Sequence, residues 1–471
     1  MARPASGRRR ARSAAPAGPR PSAPAVLALA VAVLASAAGC GRERPSAPVT
    51  VTDSAGARVV ISRRPAWPDG RGWTVESRPA ATLGGGPGDL DFRVDDALRL
   101  PDGRLAALDG RGRRLAVGTG EDEPTVVELP APEGAVDGPL GLAGLLPGDT
   151  LALREEHTDA VRLVGPDGRP GRRYSLEGPG GFAPRVRGVF GDGTLVATPR
   201  FDRVVLPGGE ILRDTLPLLT FGPEGARRDT LGSVAGAERY FARVESGAGE
   251  VVGRVRRPYA REELAAVGDS VLVTASSHAL AWAARGRDGR LRVRASAPFR
   301  ARPVEAGDIR SYREGALRRA PEGYRELRRK LLREVPFPGR KPILSDLRVD
   351  PEGHVWVGLA GEPWTPPTRW RVFAPDGRWL GTVSTPPGLE VRQVGSDFVA
   401  GVLRGGDGEP VAAFHRLRRK VGPDRDVGTD REDGTDRNDE SRLDGGAGGS
   451  AAARSAEAST GIGAPESGTG P

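Results

Sequence analysis

The chain has 471 residues, a formal net charge of +9 from 70 Lys and Arg against 61 Asp and Glu, 68 Gly, 43 Pro and a single Cys. One cysteine excludes an internal disulfide, so stability has to come from packing in whatever compartment the chain occupies. The basic balance does not form a nucleic-acid footprint: Lys occurs only at Lys330, Lys341 and Lys420 and Asn only at Asn438, as GC-biased codon usage produces. Arg also alternates with acids, as at Arg154-Glu155-Glu156 and Asp346-Leu347-Arg348, which reads as a solvated mixed-charge surface and excludes nucleic acid as a partner. The length exceeds that of an ordinary compact domain, but all-β barrels and propellers reach it as single units.

At the N-terminus, Arg8, Arg9, Arg10 and Arg12 precede an apolar run from Ala25 to Ala38 that ends in small residues, the three-part layout of a secretory signal. The run, about 15 residues, is too short to cross a ~30 Å hydrocarbon core comfortably as a helix, so a permanent transmembrane anchor is not expected. Ala37-Ala38-Gly39-Cys40 resembles the bacterial lipobox. That resemblance implies a lipoprotein-type signal peptide over residues 1–39, lipidation of Cys40 as the first mature residue, and a linker over 40–48. The lipobox prefers Leu where this chain has Ala37, and Ala35-Ser36-Ala37 offers ordinary signal peptidase an alternative that would leave a secreted or periplasmic soluble protein. Gly41 after the cysteine, rather than Asp, implies the outer membrane of a two-membrane cell, with the protein facing the periplasm. The lipid bilayer is then one expected partner and an envelope protein another.

Through the body a turn motif recurs in two interleaved series. Six turns lead directly into short apolar strands, at Asp102-Gly103, Gly148-Asp149, Asp192-Gly193, Gly268-Asp269, Glu352-Gly353 and Ser396-Asp397. Six more follow a strand, at Gly118-Thr119-Gly120, Asp167-Gly168, Glu224-Gly225, Asp288-Gly289, Asp376-Gly377 and Asp407-Gly408. Gly supplies positive φ and Asp bonds the backbone two residues on, so such turns punctuate antiparallel strands. Six hairpin units predict an all-β, six-bladed β-propeller over residues 49–418, since radial repetition buries sheets that are unstable alone. The stretch Pro101-Asp102-Gly103-Arg104-Leu105-Ala106-Ala107-Leu108-Asp109, echoed at Asp350 to Val357 and Phe373 to Trp379, resembles the six-bladed propellers of the NHL-repeat and TolB-like kind found in bacterial lipoproteins. The last unit is short of a strand, which an early segment such as Val49 to Ile61 or Trp73 to Leu83 is expected to supply, closing the ring.

Between units four and five, residues 308–334 read as a short helical insert. Asp308 is placed to cap its first helix, Pro321 to break it, and Tyr324, Leu327, Leu331 and Val335 form an apolar stripe opposite a basic face with Arg325 and Arg329. From 419 to 471 the chain is almost free of apolar residues and is expected to be a disordered tail.

No catalytic constellation emerges. His157, His278, His354 and His415 share no repeat position, so no metal site is expected from them. Lactonase-like propellers hold a divalent cation with carboxylates and asparagines, and the body has no Asn; its turn aspartates are explained as turn formers. Ser276-Ser277-His278 has neighbours that point to opposite faces if all are in a strand, and Gly84 to Gly88 lacks the helix a phosphate loop needs. No cofactor is expected. Trp356, Trp364, Trp370 and Trp379 cluster in one unit, and the Pro-rich loop around Trp364 makes it the best candidate for a partner anchor, with Trp370, Arg325 and Arg329 as companions. The expected function is a non-catalytic binding or scaffold propeller at the envelope, and the alternative is a hydrolase or lyase working in the channel.

Overall fold

The structure, a computed structural model, describes residues 47–419 apart from 69–70, 85–92, 132–137, 157, 159, 179–183, 200–207, 247–248 and 406–408. The segment expected to be a signal peptide, Cys40, His157 and residues from 420 onward therefore lie outside the described residues. No helix among the described residues is long and apolar enough to cross a membrane.

The turn chemistry read from the sequence is what organises the strands. In five of the turns the aspartate Oδ1 accepts the backbone N–H two residues on: Asp102 from Arg104, Asp167 from Arg169, Asp192 from Thr194, Asp288 from Arg290 and Asp376 from Arg378, at 2.9–3.1 Å. Gly103 and Gly377 follow such aspartates at φ +96° and +95°, a conformation that a Cβ disfavours. The result is a mostly β chain folded into successive antiparallel sheets in a propeller-like arrangement.

Six sheets follow one another along the chain, spanning 96–128, 140–175, 184–235, 263–296, 344–384 and 389–418, here called first to sixth. Their innermost strands are Asp96–Arg99, Leu140–Leu146, Pro184–Val189, Glu263–Val267, Leu344–Val349 and Leu389–Val394. Each neighbours the next, and the last neighbours the first. Hydrogen bonds cross such boundaries, as where Leu142 N–H donates to Asp96 Oδ2 at 3.0 Å and Arg99 N–H donates to Gln393 Oε1 at 2.8 Å.

Side chains alternate on strands, so each sheet buries apolar rows on both faces against its neighbours. Trp282, Phe373 and Trp379 join the core between the fourth and fifth sheets, and Trp356 and Trp370 that between the fifth and sixth. Each such large apolar side chain contributes about 2–3 kcal/mol by leaving water.

The sixth sheet has three strands of its own, and Ala81–Leu83 and Thr74–Val75 pair with Val411–Arg418 to complete it. The turn expected at Asp407-Gly408 lies outside the described residues. Of the two early segments considered, Trp73 to Leu83 closes the ring. The other, Val49–Ser54 with Ala57–Ser62, is a hairpin added in parallel to Leu291–Ser296, the outer strand of the fourth sheet.

Two elements depart from the repeat. A three-stranded sheet of Ile211–Leu212, Arg239–Ser246 and Gly249–Arg256 was not read from the sequence. The helices α1 (Ala306–Arg318) and α2 (Arg325–Glu334) were expected, one or two residues off at the start. Asp308 lies inside α1 rather than at its N-cap, which is Glu305, and takes part in the cap from the third helical position by accepting the Glu305 N–H on Oδ2 at 2.9 Å. Leu327, Leu331 and Val335 pack on the three-stranded sheet, against Tyr240, Ala242, Val244 and Val255. Tyr324 leaves the stripe and is 65% exposed.

Candidate functional site: the axial channel

The innermost strands enclose a cavity of about 360 Å3 lined by Asp96, Arg154, Arg187, Arg348, Arg392 and Gln393 among others. Leu145, Val189, Val267, Val349 and Val394, near the ends of their strands, make the opposite part apolar. The charged groups answer one another. Arg392 contacts Asp96 at 3.2 Å and Glu390 at 2.8 Å, Arg348 contacts Asp346 at 2.7 Å and donates to the Val391 carbonyl, and Arg154 contacts Glu156 at 2.7 Å. Arg187 donates to Thr198 Oγ1 at 3.0 Å.

Burial alone would loosen the proton of Arg392, but Asp96, Glu390 and Asp346 outweigh it and hold the guanidinium charged. Asp346 goes the other way. Its desolvation exceeds the pull of Arg348, and the carboxyl lies above the usual carboxylate range. Glu263, at the start of its innermost strand, is likewise raised by burial against a weaker pull from Arg213. Leu347 and Arg348 line the channel and Asp346 is held against Arg348, which corrects the reading of Asp346-Leu347-Arg348 as solvated surface. Glu155 corrects the other example: it is buried among Arg113, Arg162 and Arg173.

The residues singled out by sequence do not converge on this channel. Trp364 is 42% exposed in a backbone conformation of φ +64°, but its ring lies 4.6 Å from that of Tyr312 in α1 and under the guanidinium of Arg319. It holds the insert as well as facing solvent. Beside it a cavity of about 630 Å3 is lined by Tyr259, Phe299, Arg302, Lys341 and Arg369. Burial, with nearby Asp308 and Glu362, pushes the Tyr259 hydroxyl up to about 12. Trp370 is fully buried and donates to Thr385, so it has no surface to offer a partner; a strand position inside a sheet stack leaves it none. Arg325 is exposed on α2, as is Arg329, which pairs with Glu326.

Ser277 and His278 are closer than a strand would place them, because the strand ends at Ser276: Ser277 Oγ lies 3.1 Å from His278 Nδ1. Ser277 is 3% exposed, and its Oγ accepts the Glu262 N–H, so this pair braces a turn.

Sequence reasoning did not find one polar cluster. Asp350, Glu352 and His354 offer ligand atoms within 4.8 Å of one another, the one such group among the described residues that could hold a metal ion. Their oxygens are already taken. Asp350 accepts from His354, Trp356 Nε1 and Arg419, and Arg419 also reaches Glu352 at 2.9 Å, so a cation would have to displace the guanidinium. The Asp-x-x-x-His spacing across a turn was the available signal.

No family model matches the chain, and no curated protein does. Among solved structures the chain is similar to a streptogramin B lyase, at 9% identity over 74% of this chain and 98% of that one, with a TM-score of 0.37. It is similar to a DUF4221 family member from Bacteroides vulgatus at 8% identity over 75% and 99%, with a TM-score of 0.42. It is also similar to a gluconolactonase from Xanthomonas campestris at 15% identity over 74% and 99%, with a TM-score of 0.33. These distant likenesses accompany the propeller-like fold and carry no argument about activity.

Proposed function

We propose that the chain is a six-bladed β-propeller of the NHL-repeat or TolB-like kind, anchored in the bacterial envelope through a lipidated Cys40, that binds an envelope component without turning it over. The observation that carries the non-catalytic reading is the pairing inside the channel. Arg348, Arg392 and Arg154 are each held by a carboxylate or carbonyl, which leaves a rigid, charge-balanced lining in place of a poised nucleophile with its base. Binding then falls to the end where the innermost strands begin, from which both the three-stranded sheet and the helices depart.

The test is crosslinking in the native envelope with recovery of the tagged chain, beside a Cys40→Ser control. A reproducible protein neighbour that disappears in the control is the expected result. Recovery of the chain alone, at full abundance, would sink the scaffold reading.

One observation favours a second reading, channel-based hydrolysis or elimination. Asp346 keeps its proton more firmly than an ordinary carboxyl, as a general acid requires. Under that reading Asp346→Asn abolishes turnover of whatever substrate a screen identifies.

A further inference from the structure

Three features meet at one end of the fourth sheet. Val49 pairs with Ser62, Ile61 lies opposite Ser296, Ala281 opposite Ser296, and Ser276 opposite Glu263. The chain therefore enters the fold, at Ala47, beside the point where residue 297 departs toward α1. Cys40 precedes Ala47 by seven residues. At ~3.5 Å per residue a lipid on it would tether this end within about 25 Å of a bilayer.

The same end is strongly basic. Residues 297–342 contain 13 Lys and Arg against 6 Asp and Glu, close to the whole net charge of the chain. Among the described residues, only Arg329, with Glu326, and Lys341, with Asp308, reach a carboxylate from this segment. Because α2 lays Leu327 and Leu331 on the three-stranded sheet, Arg325, Arg329 and Arg333 recur every fourth residue on its outer side, and all three are exposed.

Aromatic exposure follows the same distribution. Phe299 at 41%, Tyr324 at 65% and Trp364 at 42% are the exposed aromatic side chains among the described residues. Phe299 and Tyr324 belong to the basic segment. The loop of Trp364 follows Leu359, which pairs with Leu344 at the start of its innermost strand. Guanidinium groups interleaved with half-exposed aromatic rings suit a phosphate-bearing interface with an apolar layer beneath it.

We propose that this end rests on an anionic phospholipid surface, with Arg325, Arg329 and Arg333 at the headgroup phosphates and Phe299, Tyr324 and Trp364 at the interface. The anchor and the patch then fix which way the channel points, and the hairpin turns carrying Arg104, Arg169 and Arg378 face away from the membrane. The placement in the cell rests on the anchoring reading. The surface chemistry does not.

The experiment uses the chain from Gly41 onward, without lipid, and vesicles of phosphatidylcholine alone or in equal parts with phosphatidylglycerol. Cosedimentation with the anionic vesicles only, lost as salt rises because charge attraction is screened within about 10 Å at 0.1 M, is expected. The variant Arg325→Glu/Arg329→Glu/Arg333→Glu should weaken it by on the order of a hundredfold or more, at about fivefold for each cationic charge lost, with its melting transition unchanged. Arg104→Glu/Arg169→Glu/Arg378→Glu at the other end should bind as the parent does. Equal binding to both vesicle types, no binding, or equal loss in the two variants overturns the proposal, as does salt-sensitive capture by a soluble acidic protein without vesicle binding. The mass of the native N-terminal peptide reports lipidation separately. An unmodified Cys40 with anionic-vesicle binding intact would overturn the anchor and support the surface.

Discussion

The guanidinium of Arg419 meets the carboxylate of Asp350 at 2.8 Å, in a setting where Asp350 has no side-chain exposure and Arg419 only 16%. Arg419 follows the last strand of the sixth sheet, and Asp350 begins the turn between the first two strands of the fifth. Trp73, from the segment that completes the sixth sheet, lies 4.4 Å beneath the guanidinium and edge-on to His354 at 4.8 Å. Residues from the beginning, the fifth sheet and the end of the fold thus share one clasp. Residue 419 was expected to start the tail; it belongs to the fold.

Removing one partner of a buried pair strands the other charge. Asp350→Asn should cost about 3 kcal/mol in chemical denaturation, and Arg419→Ala a similar amount. The double variant should cost clearly less than the sum of the two, since both delete the same contact. Additive losses would show that the clasp is not a unit.

Asp346→Asn, in the same sheet, should behave oppositely. Its carboxyl is raised by burial, so the ionised form is penalised in the fold, and that penalty grows as pH rises from about 3.8 through the folded value. Neutral asparagine removes it, and stability at pH 7 should be unchanged or slightly higher. A loss as large as that of Asp350→Asn would mean that Arg348 depends on this charge.

His415 is fully buried and donates from Nδ1 to the Glu76 carbonyl at 2.9 Å, which ties the last strand to the segment before Ala81. Burial, against a smaller effect of hydrogen bonds to Glu76 and Arg78, places its proton affinity below the ordinary 6.5. The unfolded chain therefore takes the proton first. The contribution is complete above about pH 6.5 and is lost as pH falls through the lower folded value. His278 is shifted in the same direction, also first by burial. Denaturation midpoints should drop as pH falls below about 6.5. His415→Gln should flatten part of that slope, and an unaltered slope in His415→Gln/His278→Gln would assign it elsewhere.

Gly315 is buried in α1 against the ring of Trp364, and a Cβ there would overlap it. Gly315→Val should therefore shift Trp364, at a cost of about 1–3 kcal/mol, and open the loop around it to proteolysis. Trp364→Ala should relieve the effect of the valine. Protection unchanged in Gly315→Val would show that the insert accommodates the bulk by sliding.

The propeller-like arrangement was legible because its turns are local chemistry: an aspartate that caps its own turn and a glycine at positive φ act within four residues. The helices were legible from Leu327, Leu331 and Val335 at helical spacing. The three-stranded sheet escaped because Arg239–Ser246 and Gly249–Arg256 have the same alternation as any strand in the repeat, and only pairing partners distinguish them. The channel escaped for a similar reason. Asp346, Arg348 and Arg392 occupy positions that on an outer strand would meet water, and nothing in the sequence marks a strand as innermost. Trp364 was visible as an unusual loop tryptophan, but its docking on Tyr312 joins residues 52 positions apart.

Completing the sixth sheet with Ala81–Leu83 against Val411–Arg418 also sets an order of events. The partner for an early strand is among the last parts of the fold to be made, so the ring cannot close until residues 411–418 have emerged, and the early strands wait through more than three hundred residues of growing chain. Until then Ala81–Leu83 has no partner strand among the residues already made, so the contact that completes the sixth sheet is among the last of the fold to form.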